Sequence, residues 1–84
     1  MMRVRYFAWL RQRTGCAEEQ VDAPGSVTTV AELAQWLGTR HPRFAEALAS
    51  QGVVRFAVNQ RAVDGDAPVA AGDEVAFFPP VTGG

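Results

Sequence analysis

One segment, beginning at Thr29, constrains the fold of this chain more than any other. Thr29 and Glu32 have the spacing of a capping box, in which each side chain accepts a hydrogen bond from the other residue's backbone amide. The apolar residues that follow have the i, i+3, i+4, i+7 spacing of one helical face: Val30, Leu33, Ala34 and Leu37. The sequence therefore predicts an amphipathic helix whose apolar face must pack on another layer.

Two shorter helical segments are predicted on either side of this helix. Residues 10–14 can form a short helical turn closed by Gly15. The main helix should end at Gly38 or at His41, and Pro42 can then begin a second short helix. Its apolar residues are Phe44, Ala45 and Leu48. Gly52 follows this helix.

Alternating apolar and polar residues predict the strands. They cover residues 2–8, 18–23, 53–59, 61–63 and 74–78. Turn residues separate them at Pro24-Gly25, Asp64-Gly65 and Ala71-Gly72-Asp73. With the main helix between the second and third strands, this order predicts an α+β domain of the β-grasp (ubiquitin-like) type, a mixed sheet with one main helix packed across one face. A chain of 84 residues has room for one such domain, residues 1–84.

The strand pattern divides the aromatic residues into two groups. In the first strand one face carries Met2, Val4, Tyr6 and Ala8. In the last strand the corresponding face carries Val75 and Phe77. Phe7 and Phe78 lie on the opposite faces of these strands, where no helix is predicted. Large apolar side chains on an uncovered sheet indicate an interface with a partner.

Composition excludes several classes of function. A net charge of -1 argues against a general nucleic-acid binder. All 8 basic residues are Arg, so no lysine can form a Schiff base. The single cysteine, Cys16, allows no internal disulfide and no cysteine-based zinc site. The first residues contain no long apolar run, so we expect no signal peptide or membrane span and a cytoplasmic protein.

Two further residues invite a catalytic interpretation that the sequence does not favour. We interpret Cys16 as a solitary thiol in a loop rather than as a nucleophile or persulfide site. His41 precedes a proline between two predicted helices and has no catalytic partner nearby in the sequence, so it reads as a helix-end residue. Trp36 lies beside the Leu33 and Leu37 stripe and is predicted at the edge of the core.

The last six residues, 79–84, point to chemistry at the carboxyl terminus. Two prolines favour an extended stem, and Gly83 and Gly84 leave the tip without side chains. An extended chain from Phe78 to Gly84 reaches about 20 Å. Such a tip can pass through a narrow tunnel into a water-excluded site. A terminal carboxylate is a poor electrophile until it is activated, for example as a mixed anhydride with AMP, so the predicted working group is the carboxyl of Gly84.

A family resemblance supports this interpretation. Residues 72–84, Gly72-Asp73-Glu74-Val75-Ala76-Phe77-Phe78-Pro79-Pro80-Val81-Thr82-Gly83-Gly84, resemble the end of molybdopterin synthase small subunits, the MoaD family. The start, Val4-Arg5-Tyr6-Phe7-Ala8 with Arg11 after it, is similar to the start of that family, and so is Val58-Asn59-Gln60 in the middle. Length and element order also agree, so the resemblance spans essentially the whole chain.

The resemblance implies a sulfur carrier that binds no cofactor and has no active-site side chains of its own. An adenylating enzyme of the ubiquitin-activating type would use ATP to adenylate Gly84, and a sulfurtransferase would then replace AMP with sulfur to give a thiocarboxylate. The tail would enter the active site of the synthase large subunit and donate sulfur to precursor Z, a cyclic pyranopterin monophosphate. The assembly implied is a heterotetramer of two large and two small subunits.

The resemblance also implies which residues contact these partners. The matching positions on the surface shared by the synthase and the activating enzyme are Phe7, Ala62 and Phe78. Ala62 is smaller than the aliphatic side chain expected there. Arg11 is placed to meet a partner's carboxylate, and the tail would contact the large subunit through Pro79, Pro80, Val81 and Thr82.

Three other functions remain open at this point. A sulfur carrier of the thiamine or tungsten-cofactor pathway would share the fold, although thiamine carriers are usually shorter and lack the Phe-Phe-Pro-Pro stem. A ubiquitin-like modifier would be joined through Gly84 to lysines of other proteins. A plain interaction module would have an inert tail. Exchange of sulfur for oxygen at Gly84 would separate the carriers from the interaction module.

Overall fold

The computed structural model describes residues 1–49 and 54–80. In chain order, the strands are β1 (Met2–Tyr6), β2 (Glu18–Val21), β3 (Arg55–Val58), β4 (Arg61–Val63) and β5 (Glu74–Phe78). The helices are α1 (Leu10–Thr14), α2 (Val30–Arg40) and α3 (Pro42–Ala49). No helix in these two segments combines the length and apolar character needed to cross a bilayer.

The strands form one mixed sheet in the order β2-β1-β5-β3-β4. The first and last strands, β1 and β5, are parallel neighbours, with Val4 opposite Val75. The other pairs are antiparallel, and β3 and β4 form a hairpin. Asn59 and Gln60 make its two-residue turn with positive φ angles of 51° and 69°. This arrangement confirms the predicted β-grasp fold.

The main helix, α2, begins as its capping box predicts. The Glu32 amide donates to Thr29 Oγ1 at 3.2 Å, and the Thr29 amide donates to Glu32 Oε1 at 3.1 Å. The helix continues through Gly38 and ends at Arg40, with His41 as the C-cap. Gly38 is retained inside the helix because α3 crosses closely there: a Cβ atom at this position would lie 3.0 Å from the Cβ of Ala45.

The core lies between the sheet and the helices. All four residues of the predicted stripe on α2 are buried. Phe77 of β5 is 0% exposed, and its ring contacts three other aromatic rings, with centroid distances of 6.0 Å to Tyr6, 5.3 Å to Phe44 and 5.7 Å to Phe56. Ala47 is fully packed beside Phe44 on α3, whereas Ala45, which we predicted on that face, is half-buried.

Several predicted boundaries were wrong, chiefly at residues with positive φ. The first strand ends at Tyr6 rather than at residue 8, because Ala8 has a φ of 56° and turns the chain into α1. Ala8 is therefore exposed and does not share the core face of Tyr6. Asn59 ends β3 in the same way. The second strand stops at Val21, two residues early, and Gly52 lies outside the described residues.

Candidate functional site

The candidate site is the sheet face turned away from α2. Cross-strand pairing sets its side chains in rows, because directly paired residues point to the same face. The middle row runs across four strands: Arg5 pairs with Ala76, Ala76 with Ala57, and Ala57 with Ala62. We call Ala76, Ala57 and Ala62 the alanine row.

Two aromatic side chains lie beside the alanine row. Phe78 belongs to β5, two residues after Ala76, and is half-buried. Phe7 follows β1, is 40% exposed, and is held next to β5 by a 3.0 Å hydrogen bond from its amide to the Phe77 carbonyl. The predicted split is thus confirmed: Phe77 is buried in the core, and Phe7 and Phe78 are on the open face.

The aromatic pair and two residues of the alanine row, Ala57 and Ala76, line an open apolar hollow. Its floor is formed by Ala57 and Ala76, and Phe7, Phe78 and Pro79 form its apolar wall. Its volume is about 460 Å³. Three of the interface residues predicted from the sequence, Phe7, Phe78 and Pro79, are therefore brought to one place.

Two charged side chains, Arg5 and Glu74, line the other side of the hollow, and both belong to a group of paired charges. Arg5 Nη1 lies 3.6 Å from Glu74 Oε2, and Arg3 Nη1 lies 3.9 Å from Glu74 Oε1. Arg3 also reaches Glu18 at 3.8 Å. The Arg5 guanidinium sits 5.0 Å from the centroid of the Phe7 ring. Since these pairs are solvent-exposed they add little stability, but they leave this rim with its charges balanced.

The start of the tail borders the same face. Pro79 lines the hollow, and Pro80 lines a neighbouring depression together with Phe78 and Ala62. Pro80, the last described residue, therefore lies at the edge of the open face. Val81, Thr82, Gly83 and Gly84 lie outside the described residues, so their predicted roles stay predictions.

The structure places the other two predicted interface residues at the margins. Ala62 is exposed on the edge strand β4, at the end of the alanine row. Arg11 is exposed on α1, does not border the hollow, and its Nε donates to the Ala8 carbonyl at 3.4 Å. Sequence reasoning missed Trp9, two residues after Phe7, which is 37% exposed and whose ring centroid lies 5.5 Å from the Arg13 guanidinium.

His41 and Cys16 do not border the hollow, and their contacts stabilise the fold. Glu19 Oε2 accepts a 2.7 Å hydrogen bond from the Tyr6 hydroxyl and lies 2.8 Å from His41 Nε2. This cluster ties the junction of α2 and α3 to the edge strand β2 on the helical side of the sheet. Burial raises the pKa of Tyr6, and its bond to Glu19 raises it further. Burial alone would raise the pKa of Glu19, but hydrogen bonds to Tyr6 and His41 outweigh it and hold that pKa below its usual value.

No sequence pattern predicts the contact between Glu19 and His41, because the two residues are far apart along the chain. Cys16 is half-buried, and its nearest polar partner is the Thr14 hydroxyl at 3.9 Å. Among residues 1–49 and 54–80, no three His, Cys, Asp or Glu side chains are grouped so that they could hold a metal ion. What the described face can do chemically is bind an apolar surface next to the start of the tail.

Known proteins of similar sequence and structure were compared with this chain. The ThiS family profile matches residues 4–84. The molybdopterin synthase sulfur carrier subunit of Escherichia coli is 44% identical over 84 residues, which cover 100% of both chains. The structure of small archaeal modifier protein 1 from Haloferax volcanii superposes with a TM-score of 0.81 at 30% identity, covering 95% of this chain and 97% of the other.

A further solved structure comes from a complex of subunits 1 and 2 of the molybdopterin-converting factor from Helicobacter pylori. The matching chain has a TM-score of 0.64 and 24% identity, and the alignment covers 99% of this chain and 97% of that one. At this identity the likeness shows a shared fold. The family match includes every residue of the alanine row, both aromatic side chains and residues 79–84.

Proposed function

This chain belongs to the ThiS family, and we propose that it is the sulfur carrier subunit of a molybdopterin synthase, with sulfur carried on the terminal carboxyl of Gly84. The observation that carries the proposal is the position of the tail. It starts at Pro79, which is itself part of the apolar hollow on the uncovered sheet face. A partner that covers this face therefore lies where it can receive the tail. The full-length likeness to the Escherichia coli sulfur carrier subunit supports the same function.

The proposed chemistry takes place in two steps before sulfur is used. The Gly84 carboxylate attacks the α-phosphate of ATP on an adenylating enzyme, which releases pyrophosphate and leaves an acyl-adenylate. A sulfurtransferase then delivers a sulfide equivalent to the acyl carbon, and AMP departs. The product is a thiocarboxylate in which one carboxyl oxygen has been exchanged for sulfur.

The thiocarboxylate then acts inside the large subunit. It is ionised at neutral pH and soft, so it attacks without help from a general base. Two charged carriers in succession would supply the two sulfur atoms of the dithiolene formed from cyclic pyranopterin monophosphate, and hydrolysis at the acyl carbon returns each Gly84 to a carboxylate. In this mechanism the carrier has to bind the large subunit and to extend its tail into that subunit's active site. The apolar side chains of the described sheet face are suited to the binding.

The proposed partners share one surface of the carrier. Phe7, Phe78 and Ala62 would contact the adenylating enzyme and, at another time, the large subunit. The final assembly would be a heterotetramer of two large and two small subunits. Because the activation consumes ATP, we place the reaction in the cytoplasm.

The direct test is the intact mass of the protein. After incubation with the adenylating enzyme, ATP and a sulfur source, the mass should rise by one sulfur-for-oxygen exchange, and tandem mass spectrometry should place the change at Gly84. Omission of ATP is the control and should leave the mass unchanged. Added mass at Cys16, with Gly84 unchanged, would contradict the proposal.

A second function is favoured by the likeness to small archaeal modifier protein 1. Conjugation to proteins would use the same activated carboxyl, with a lysine amine in place of sulfide as the nucleophile. An affinity-tagged chain recovered from its own cells should then carry isopeptide-linked proteins on Gly84. Recovery of the free chain alone would exclude this use.

A further inference from the structure

The alanine row is unusual for a sheet face without a helix over it. Alanine is depleted in strands because it gives little cross-strand packing. Aromatic or β-branched pairs at these positions would each stabilise the sheet more than an Ala–Ala pair does. Here two successive cross-strand pairs, Ala76 with Ala57 and Ala57 with Ala62, give up that contribution. The row is therefore poorly explained by the stability of the sheet.

The small size of these alanine side chains shapes the surface of the sheet into a recess that a partner's side chain could occupy. Because Ala57 and Ala76 end at Cβ while Phe7 and Phe78 stand above them, the surface is recessed to a hollow of about 460 Å³. A recess of this size is large enough for a protruding aromatic or long aliphatic side chain, whose burial is the main source of affinity at interface centres.

The charges around the hollow limit which kind of side chain can occupy it. Arg5, the arginine on the rim, already lies 3.6 Å from Glu74, so the rim offers no unbalanced charge to an incoming ion. The floor is apolar, and placing a charged group on it would carry an uncompensated desolvation cost. An uncharged, apolar occupant fits both observations.

We propose that the hollow over Ala57 and Ala76 is a socket for one large apolar side chain that protrudes from the synthase large subunit. This inference rests on the proposed function, and it adds a specificity element to it. The hollow is continuous with Pro79, the first residue of the tail, so filling it holds the two subunits together at the point where the tail departs. The carrier thus contributes the recess, and the large subunit contributes the apolar side chain that fills it. This restricts binding to partners that have such a protruding side chain.

The test fills the socket from the carrier's side. Ala57→Leu occupies the floor of the hollow, and Ala76→Leu repeats the change on the neighbouring strand. Gln20→Leu is the matched control, because Gln20 is exposed on the same sheet face but does not border the hollow. Ala57→Ser, which keeps the hollow open, is a second control. Binding of each purified variant to the large subunit is measured by calorimetry, and folding is checked by thermal unfolding.

We expect both leucine variants in the row to lose affinity by about five-fold to more than 100-fold, which is the change in Kd that corresponds to the cost of about 1–3 kcal/mol for overpacking a filled site. Both controls should stay within about two-fold of the wild type, as substitutions at exposed sites usually do. If the hollow is empty in the complex, an added leucine finds room, and unchanged or tighter binding by both leucine variants would overturn the socket while leaving the proposed function intact. If the wild-type carrier does not bind the large subunit at all, the proposed function fails and the socket with it.

Discussion

Phe77 and Phe78 are neighbours in β5 whose truncation should have opposite consequences. Phe77→Ala removes a ring that is 0% exposed and that contacts the rings of Tyr6, Phe44 and Phe56. A buried Phe→Ala change costs about 3–5 kcal/mol, and in a domain of this size each kcal/mol lowers Tm by about 4–8 °C. We therefore expect Tm to fall by at least about 12 °C. Since small domains are stable by only about 5–15 kcal/mol, part of the population should be unfolded.

Phe78→Ala removes a half-buried ring from the open face and leaves the core intact. We expect it to lower the free energy of unfolding by about 1 kcal/mol or less, which is a change of a few degrees in Tm. Its affinity for the large subunit should fall much further. Truncation of an aromatic anchor costs about 2 kcal/mol or more, which is roughly a 30-fold increase in Kd.

Two measurements on each variant separate these effects. Thermal unfolding followed by far-ultraviolet circular dichroism gives Tm, and calorimetric titration with the large subunit gives Kd. Phe77→Leu provides a milder core variant that should stay folded and bind with nearly normal affinity. Equal losses of Tm in the two alanine variants, with unchanged affinity in Phe78→Ala, would refute the assignment of the two rings to opposite faces.

The tail, the Cys16 thiol and the half-buried carboxylate of Glu19 yield three more predictions. Deleting Gly84 retracts the reactive carbonyl by about 3.5 Å, and Gly83→Val adds a bulky side chain at the tip. After each variant has been loaded chemically with sulfur, it should bind the large subunit but form no dithiolene. Normal turnover by the deletion variant would show that another group reacts. Cys16→Ser should transfer sulfur at the wild-type rate in the same assay, and a loss of transfer would assign the thiol a role. Because the pKa of Glu19 is lower in the folded protein than in the unfolded chain, its ionised carboxylate stabilises the fold above the unfolded pKa, and this contribution is lost as the pH falls through the folded pKa. Glu19→Gln should therefore reduce the decrease in unfolding free energy, measured by urea denaturation, below about pH 4.5. The same pH dependence below about pH 4.5 in the variant and the wild type would contradict this.

Local features of the fold could be predicted from the sequence because their causes are local. The capping box at Thr29 and the alternation in β5 depend on residues a few positions apart, and both are confirmed. The boundary errors arose where non-glycine residues turn the chain: Ala8 and Asn59 adopt positive φ, which is uncommon outside glycine and gave no signal at Ala8.

The candidate site was predicted in part. Alternation alone placed Phe7 and Phe78 on the open face. The hollow between them requires the register of several strands, since Ala57 and Ala76 become neighbours only through the pairing of β3 with β5. Glu19 beside His41 likewise depends on how α3 packs against the sheet edge, which no short sequence pattern encodes.

The position of β5 between β1 and β3 has a consequence for how the protein is made. A ribosome releases the segment 74–78 late, and until then β1 and β3 have no strand between them to pair with. The centre of the sheet is thus closed by a strand that is translated after the other four, and pairings so distant in sequence form slowly. A nascent product that terminates before Phe77 lacks this central ring of the core as well as the tail. Quality control by cellular proteases, which remove unfolded chains, would therefore also remove these products, which have no tail to charge.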